Sequence, residues 1–267
     1  NTNSASLVAQ KNLVSNSAGL QNSIARLSSG LRVNSARDDA AGLAIATRMN
    51  ADTRGMEVAK RNANDGISAL QVADGTLGSI SDNLQRMREL AVQSATGTLT
   101  GSDRTNLNAE FQSLSLEVTD QAAKANFNGV KLLDGSTASL TIQTGSKTGD
   151  TIAVNLTDAA NAVAATAAGS LATVAGANTA LTNIDTALDT LNSGRAVLGA
   201  GINRLDAAVS NLSTTITNLS AARGRIMDAD FASETASLTR SQILQQAGTA
   251  MLAQANQLPN NVLSLLK

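Results

Sequence analysis

Few residues in this chain could do chemistry. Histidine and cysteine are absent from its 267 residues. That removes the commonest general base, any thiol nucleophile, thiolate metal sites and disulfides. Two acidic groupings remain. Asp38 and Asp39 are adjacent, but neighbours on a helix point about 100° apart, so they make a poor acid/base pair and read as solvated or structural. Asp228, Asp230 and Glu234 lack both the spacing and the glycine of a calcium loop and read as incidental. The stretch Gly145-Ser-Lys-Thr-Gly149 has the composition of a phosphate loop without its Gly-x-x-x-x-Gly-Lys-Ser/Thr order, so a plain turn is expected. An enzyme needs a convergent polar pocket, and these residues do not supply one. No catalytic residue, cofactor or metal is expected.

Composition narrows the class. Trp and Tyr are absent, and there are three Phe and one Pro. A chain without large aromatic groups must bury small aliphatic ones along extended seams, and the scarcity of Pro suits long helices. Missing Cys does not fix a compartment. The formal charge is −1, and Lys and Arg are scattered, so no nucleic acid partner is expected. No apolar run is long enough to span a bilayer, so no membrane insertion is expected. The start has no basic-then-apolar secretory pattern, so export would take another route.

The elements are read from periodicity. From Leu181 to Ile226 the positions Leu181, Ile184, Leu188, Leu191, Arg195, Leu198, Ile202, Leu205, Val209, Leu212, Ile216, Leu219, Arg223 and Ile226 alternate by threes and fours. This unbroken heptad seam predicts a helix of about 70 Å whose apolar stripe needs partner helices. Arg195 and Arg223 interrupt it and are expected to pair with carboxylates or carbonyls of facing helices and fix register. Residues 1–34 carry a similar seam through Leu13, Leu20, Ile24, Leu27 and Leu31. Residues 35–55 read as a partly helical connector. Residues 56–97 read as a second helix, broken at Gly97–Gly101. A third follows, capped by Ser102 or Asp103, with Leu107, Phe111, Leu114 and Val118 on its stripe. The period then changes. Asn128-Gly129 and Asp134-Gly135 are turn dipeptides, and the alternation at Leu140, Ile142, Ile152, Val154 and Leu156 predicts a β-hairpin around 139–156. Residues 157–178 read as a short surface connection. A last helix carries Leu244, Met251 and Leu258, stops at Pro259, and leaves an apolar tip of Val262, Leu263, Leu265 and Leu266.

The fold class expected is mainly α: a long antiparallel helical coiled-coil or bundle rod with a small β-hairpin, plus a terminal two-helix coiled coil. Residues 1–43 and 227–267 would form a discontinuous terminal domain, and 44–226 the central rod. Two helices alone bury little area, so the terminal pair is expected to be ordered by further copies of the chain. Repeating one contact without closure gives a filament, although the same spare apolar surface would allow a closed bundle. A membrane-active helix is disfavoured because the polar faces carry Ser, Asn and Gln rather than Lys and Arg.

Several ordered motifs resemble one family. They are Leu27-Ser-Ser-Gly-Leu-Arg-Val-Asn-Ser-Ala-Arg-Asp-Asp-Ala-Ala-Gly42, Arg61-Asn-Ala-Asn-Asp-Gly66, Leu84-Gln-Arg-Met-Arg-Glu-Leu-Ala-Val-Gln93, Ala221-Ala-Arg-Gly-Arg-Ile-Met-Asp-Ala-Asp-Phe231, Gln242-Ile-Leu-Gln-Gln-Ala-Gly248 and Asn260-Asn-Val-Leu-Ser-Leu-Leu-Lys267. With them the chain resembles bacterial flagellin over essentially its whole length. A hook-filament junction protein or another axial component is the near alternative.

The resemblance implies a secreted, extracellular subunit that polymerises into the flagellar filament for motility. It implies export unfolded through the flagellar type III apparatus, with an export chaperone, a filament cap and hook-filament junction proteins as partners beside other flagellin copies. The apolar termini, Leu13, Leu20, Ile24, Leu27, Leu31, Leu244, Met251, Leu258, Val262, Leu263, Leu265 and Leu266, would then be polymerisation seams. It also implies a host Toll-like receptor as partner, contacted at Arg86, Leu90, Gln93 and Glu110. Members usually begin a few residues upstream of Asn-Thr-Asn. Many carry large outer domains where residues 157–178 hold almost nothing.

Overall fold

The computed structural model describes residues 3–265, with side chains through residue 257. Among the described residues, six helices and two small antiparallel sheets occur in the order α1 (Ser4–Ser29), α2 (Ala40–Ala95), α3 (Gly101–Lys124), β1 (Asn126–Phe127), β2 (Val130–Lys131), β3 (Ser139–Gln143), β4 (Thr151–Asn155), α4 (Ala159–Ala167), α5 (Val174–Met227) and α6 (Phe231–Leu265). The chain divides into two compact units, residues 1–53 with 217–267, and residues 54–216. The sequence placed the divisions about ten residues nearer the termini.

In the unit of residues 54–216, α2 and α5 run antiparallel. Their apolar stripes meet in a core containing Leu70, Leu77, Ile80, Leu84, Met87 and Leu90 of α2 with Ile184, Leu191, Leu198 and Leu205 of α5. Phe111 and Val118 of α3 complete it. The heptad stripe of α5 therefore finds its partners within the chain. Exposed polar positions on α5 are satisfied locally: Thr179, Thr182, Thr186 and Thr190 each donate to the carbonyl four residues back, at 2.9–3.2 Å.

The α2–α3 connection is held from both sides. Thr100, not Ser102 or Asp103, is the N-cap of α3. Its hydroxyl accepts from the Asp103 N–H while the Asp103 carboxylate accepts from the Thr100 N–H, a reciprocal capping box. The Thr100 hydroxyl and N–H hold the Asp103 carboxyl below the usual carboxylate range. Arg104 donates to the carbonyls of Ser94, Leu99 and Thr96 at 3.0, 3.0 and 2.7 Å. The Ser94 carbonyl, in the last turn of α2, would otherwise lack an intrahelical partner.

The expected hairpin is β3–β4, with Leu140 opposite Val154 and Ile142 opposite Ile152. It seats on glycines. A Cβ built on Gly66 of α2 would overlap Ile142 Cδ1 and lie 2.9 Å from Cγ1; on Gly55 it would lie 2.9 Å from Ser146 Cβ. On α5, Gly201 faces the two Val154 methyls at 2.7 and 2.8 Å, and Gly194 faces Thr157. Gly194 and Gly201 are seven residues apart, about 10.5 Å along a helix. Val154 and Thr157 are three apart, about 10 Å along an extended chain. The two spacings match, so each side chain meets a helix site lacking a Cβ. The preceding turn is tighter: Asn128 and Gly129 both have positive φ, 49° and 82°, as a two-residue hairpin turn requires.

The structure corrects five further expectations. Residues 40–55 are helix rather than connector. The Asp39 carboxylate accepts the Gly42 N–H at 2.8 Å to start α2, and Gly42 packs close to Ile226. Residues 157–178 are not a bare surface connection. They contain α4, with Ala159, Val163 and Thr166 buried, and a segment whose Leu171 is fully buried. That segment is tied down by Ser94 Oγ to the Leu171 carbonyl at 2.7 Å, the Leu171 N–H to Asn108 at 2.8 Å, and Gln112 to the Gly169 carbonyl at 2.7 Å. α1 ends at Ser29, with Gly30 at φ 71°, so Leu31 lies beyond it and pairs as a single β-bridge with Asp228. α5 begins at Val174, before the seam. α6 passes Pro259 with one main-chain donor fewer.

Candidate functional site

The terminal helices carry the first surface. α1 and α6 lie antiparallel, with Asn3 Nδ2 donating to the Ala255 carbonyl at 2.9 Å and Asn16 Nδ2 to the Ser241 carbonyl at 2.7 Å. Arg26 and Glu234 stand 3.8 Å apart. The strip between them is built from small residues: Ser6, Ser23 and Ala255 are buried, and Gly248 leaves room for Leu13, whose Cδ1 lies 3.1 Å from the Cβ position. The large apolar groups face elsewhere. Leu7, Val8, Val14, Ile24, Ile243, Leu244 and Met251 are 51–71% exposed. Val8, Leu13, Leu244, Ala247 and Met251 line an apolar groove along the pair, and Phe231 and Ile243 line a second depression on α6.

This differs from a heptad seam shared by two helices. Leu13, Leu20, Leu27 and Leu31 are half-buried, whereas Ile24, Leu244 and Met251 are exposed. Each helix has one neighbour in the pair, so it covers one narrow strip and small residues occupy it. Leu258, Val262, Leu263 and Leu265 lie outside the residues whose side chains are described, and Leu266 outside the described residues altogether. Sequence reasoning passed over Leu7, Val8, Val14 and Ile243 because they fall off the stripe. Their signal was a large apolar residue on a face otherwise rich in Ser and Asn.

The second surface lies on α2 and α3. Arg86 donates through Nε and Nη2 to one Glu110 oxygen at 3.0 and 2.8 Å, and through Nη1 to Glu89 at 2.9 Å. The hydrogen bond to Glu110, then that to Glu89, raises the Arg86 pKa, so it stays charged. Arg86 and Glu110 are about half exposed, and Gln93 is exposed. Leu90 is not part of this surface: it is 1% exposed, inside the core with Met87 and Ala91. A residue three positions after buried Met87 falls on the same helix face, which was readable from the spacing.

The two arginines of the α5 seam are placed by polar partners on α2. Arg195 donates to Asp74 at 2.9 Å, and Arg223 to the side-chain carbonyl of Asn50 at 2.6 Å. Asp74 raises the Arg195 pKa, chiefly by this hydrogen bond.

Among the described residues no acidic cluster is gathered to hold a metal ion, and no helix is long and apolar enough to cross a membrane. Both ends of the chain match known helical regions. The bacterial flagellin N-terminal helical region matches residues 1–138, and the bacterial flagellin C-terminal helical region matches residues 181–266. The flagellin of Xenorhabdus nematophila is 42% identical across the whole chain and 98% of its own length. That of Halalkalibacterium halodurans is 44% identical across the whole chain and 99% of its own length. The crystal structure of Bacillus cereus flagellin superposes with a TM-score of 0.53 at 37% identity, covering 61% of this chain and 94% of that one. Long packed helices and hydroxyl-rich faces agree with these matches: the chain belongs to the bacterial flagellin family, structural proteins of the flagellar filament.

Proposed function

We propose that the chain polymerises with further copies of itself through the outward apolar faces of α1 and α6. One observation carries the reading: the α1–α6 contact uses Ser6, Ser23 and Ala255 and leaves Val8, Val14, Ile24, Leu244 and Met251 in water. Covering a half-exposed Val, Ile, Leu or Met recovers on the order of 1 kcal/mol each. A repeated, non-closing contact between such faces yields a helical filament. Arg195 and Arg223 then act as register pins inside each copy. The filament is extracellular. Its subunits leave the cell unfolded through the flagellar type III apparatus, attended by an export chaperone, and meet the cap and hook-filament junction proteins at the ends.

Negative-stain electron microscopy of the full chain beside a chain lacking residues 1–34 and 235–267 tests this. Long tubes from the full chain alone are expected. Tubes from both would move the assembly surface to residues 35–234, and their absence from both would remove self-assembly as the function.

A second reading concerns Arg86, Gln93 and Glu110, an exposed charged face that fits a polar protein partner. By family resemblance that partner is a host Toll-like receptor. Arg86→Ala and Glu110→Ala should each weaken receptor signalling in a reporter cell while circular dichroism is unchanged. Undiminished signalling from both would remove this reading.

A further inference from the structure

We infer that Met251 is the oxidation-sensitive site of this chain, and that its conversion to the sulfoxide by peroxide blocks assembly. The second half rests on the polymerisation reading above; the first does not.

The chain has five methionines. Met87 is fully buried in the core. Met49, Met56 and Met227 are half-buried. Met251 alone is exposed, at 65%. Its helix position places it in the apolar groove with Val8, Leu13 and Leu244. The sulfur is therefore open to a dissolved oxidant in the free chain, yet it lies on a surface whose worth to assembly is its lack of polarity.

The reaction balances with hydrogen peroxide as the oxidant. The thioether sulfur attacks one peroxide oxygen, an S–O bond forms and the O–O bond breaks. Sulfur loses two electrons, and the departing oxygen takes a proton and leaves as water. The product is a polar, chiral sulfoxide in place of a flexible apolar group. Its oxygen is a strong hydrogen-bond acceptor, and burying an acceptor without a donor is unfavourable. A neighbouring copy that covers the groove would have to bury it. Conversely, a copy already in place would shield the thioether, so oxidation should be slower in the assembled protein.

The experiment treats the full chain with graded hydrogen peroxide, maps sulfoxide by peptide mass spectrometry, and follows assembly by light scattering and electron microscopy. Met251 should oxidise at least about tenfold faster than Met87, and faster than Met49, Met56 and Met227, in keeping with selectivity by exposure. Protein oxidised at Met251 alone should fail to assemble, and methionine sulfoxide reductase should restore it. Met251→Leu should assemble with or without peroxide. Equal oxidation at the half-buried methionines would overturn the site assignment. Normal assembly of the Met251 sulfoxide, or lasting failure after complete enzymatic reduction, would overturn the block. If untreated chain does not assemble at all, the polymerisation reading fails, and the mass map still decides the site.

Discussion

The seating of the β3–β4 hairpin can be tested within a single helix. Gly199 and Gly201 of α5 differ in what a methyl would meet: nothing lies within 4 Å of the Gly199 Cβ position, while the Gly201 position faces the Val154 methyls at 2.7 and 2.8 Å and Leu70 Cδ1 at 3.3 Å. Replacing a mid-helix glycine by alanine gains about 1 kcal/mol where there is room. Overpacking a dense core costs about 1–3 kcal/mol. Val154 is β-branched and stiff at χ1, so relief requires moving β4 itself. Gly199→Ala should therefore stabilise by up to about 1 kcal/mol, and Gly201→Ala should destabilise by up to about 2 kcal/mol net of its own helix gain. Gly66→Ala should fall between them, because the end of the Ile142 side chain can swing aside. Gly75→Ala and Gly78→Ala on α2, both open, serve as further controls. Urea unfolding followed at 222 nm gives each midpoint. A Gly201→Ala midpoint at or above that of Gly199→Ala would refute the idea that these glycines exist to admit the hairpin.

Four other outcomes follow from the same structure. Thr100→Ala should cost about 1 kcal/mol through loss of the α3 cap, read by the same urea titration. Asp38, Asp103 and Asp134 all have lowered carboxyl pKa values, held down chiefly by the Asn34 N–H, the Thr100 hydroxyl and the Ser136 hydroxyl respectively. A group whose folded pKa lies below its unfolded value of about 3.9 stabilises fully above that value. Its contribution is lost as pH falls through the lower folded value, so unfolding midpoints should drop below about pH 4, and by less in Asp103→Asn. Leu90→Ala and Leu171→Ala should each cost about 2–5 kcal/mol by cavity formation; for Leu90 any loss of receptor signalling should then track the unfolded fraction in a thermal melt. Arg195→Leu should change stability by less than about 1 kcal/mol, because both partners of the Asp74 pair are about 40% exposed and such pairs contribute little; a double-mutant cycle with Asp74→Asn measures the coupling.

The elements most legible in the sequence were those with an uninterrupted period. The α5 stripe could be read to the residue because every step holds an aliphatic or an Arg. The β3–β4 hairpin was legible because Leu140, Ile142, Ile152 and Val154 switch the period to two. The start of α2 was not, because Gly42 and Gly55 look like linker residues until the packing around Ile226 and Ser146 is seen. The same holds for α4 and the segment after it, where alanines give no stripe and the stretch 169–171 is tied down by hydrogen bonds with Ser94, Asn108 and Gln112, all far away in sequence. For the terminal pair, apolar positions could be found but not how many a single partner helix would cover. The motif resemblance named Arg86, Leu90, Gln93 and Glu110 together, but only the helix period separates exposed Arg86 from buried Leu90.

The threonines at 179, 182, 186 and 190 change what the exposed strip of α5 offers to water. Each hydroxyl proton is already committed to its own backbone, which leaves the methyl and the acceptor lone pairs of the oxygen. The strip is polar by composition yet sparing in the hydrogen bonds it donates to solvent. Drying it against another surface would strand no hydroxyl donor, and so would carry little of the penalty that a row of unsatisfied side chains imposes.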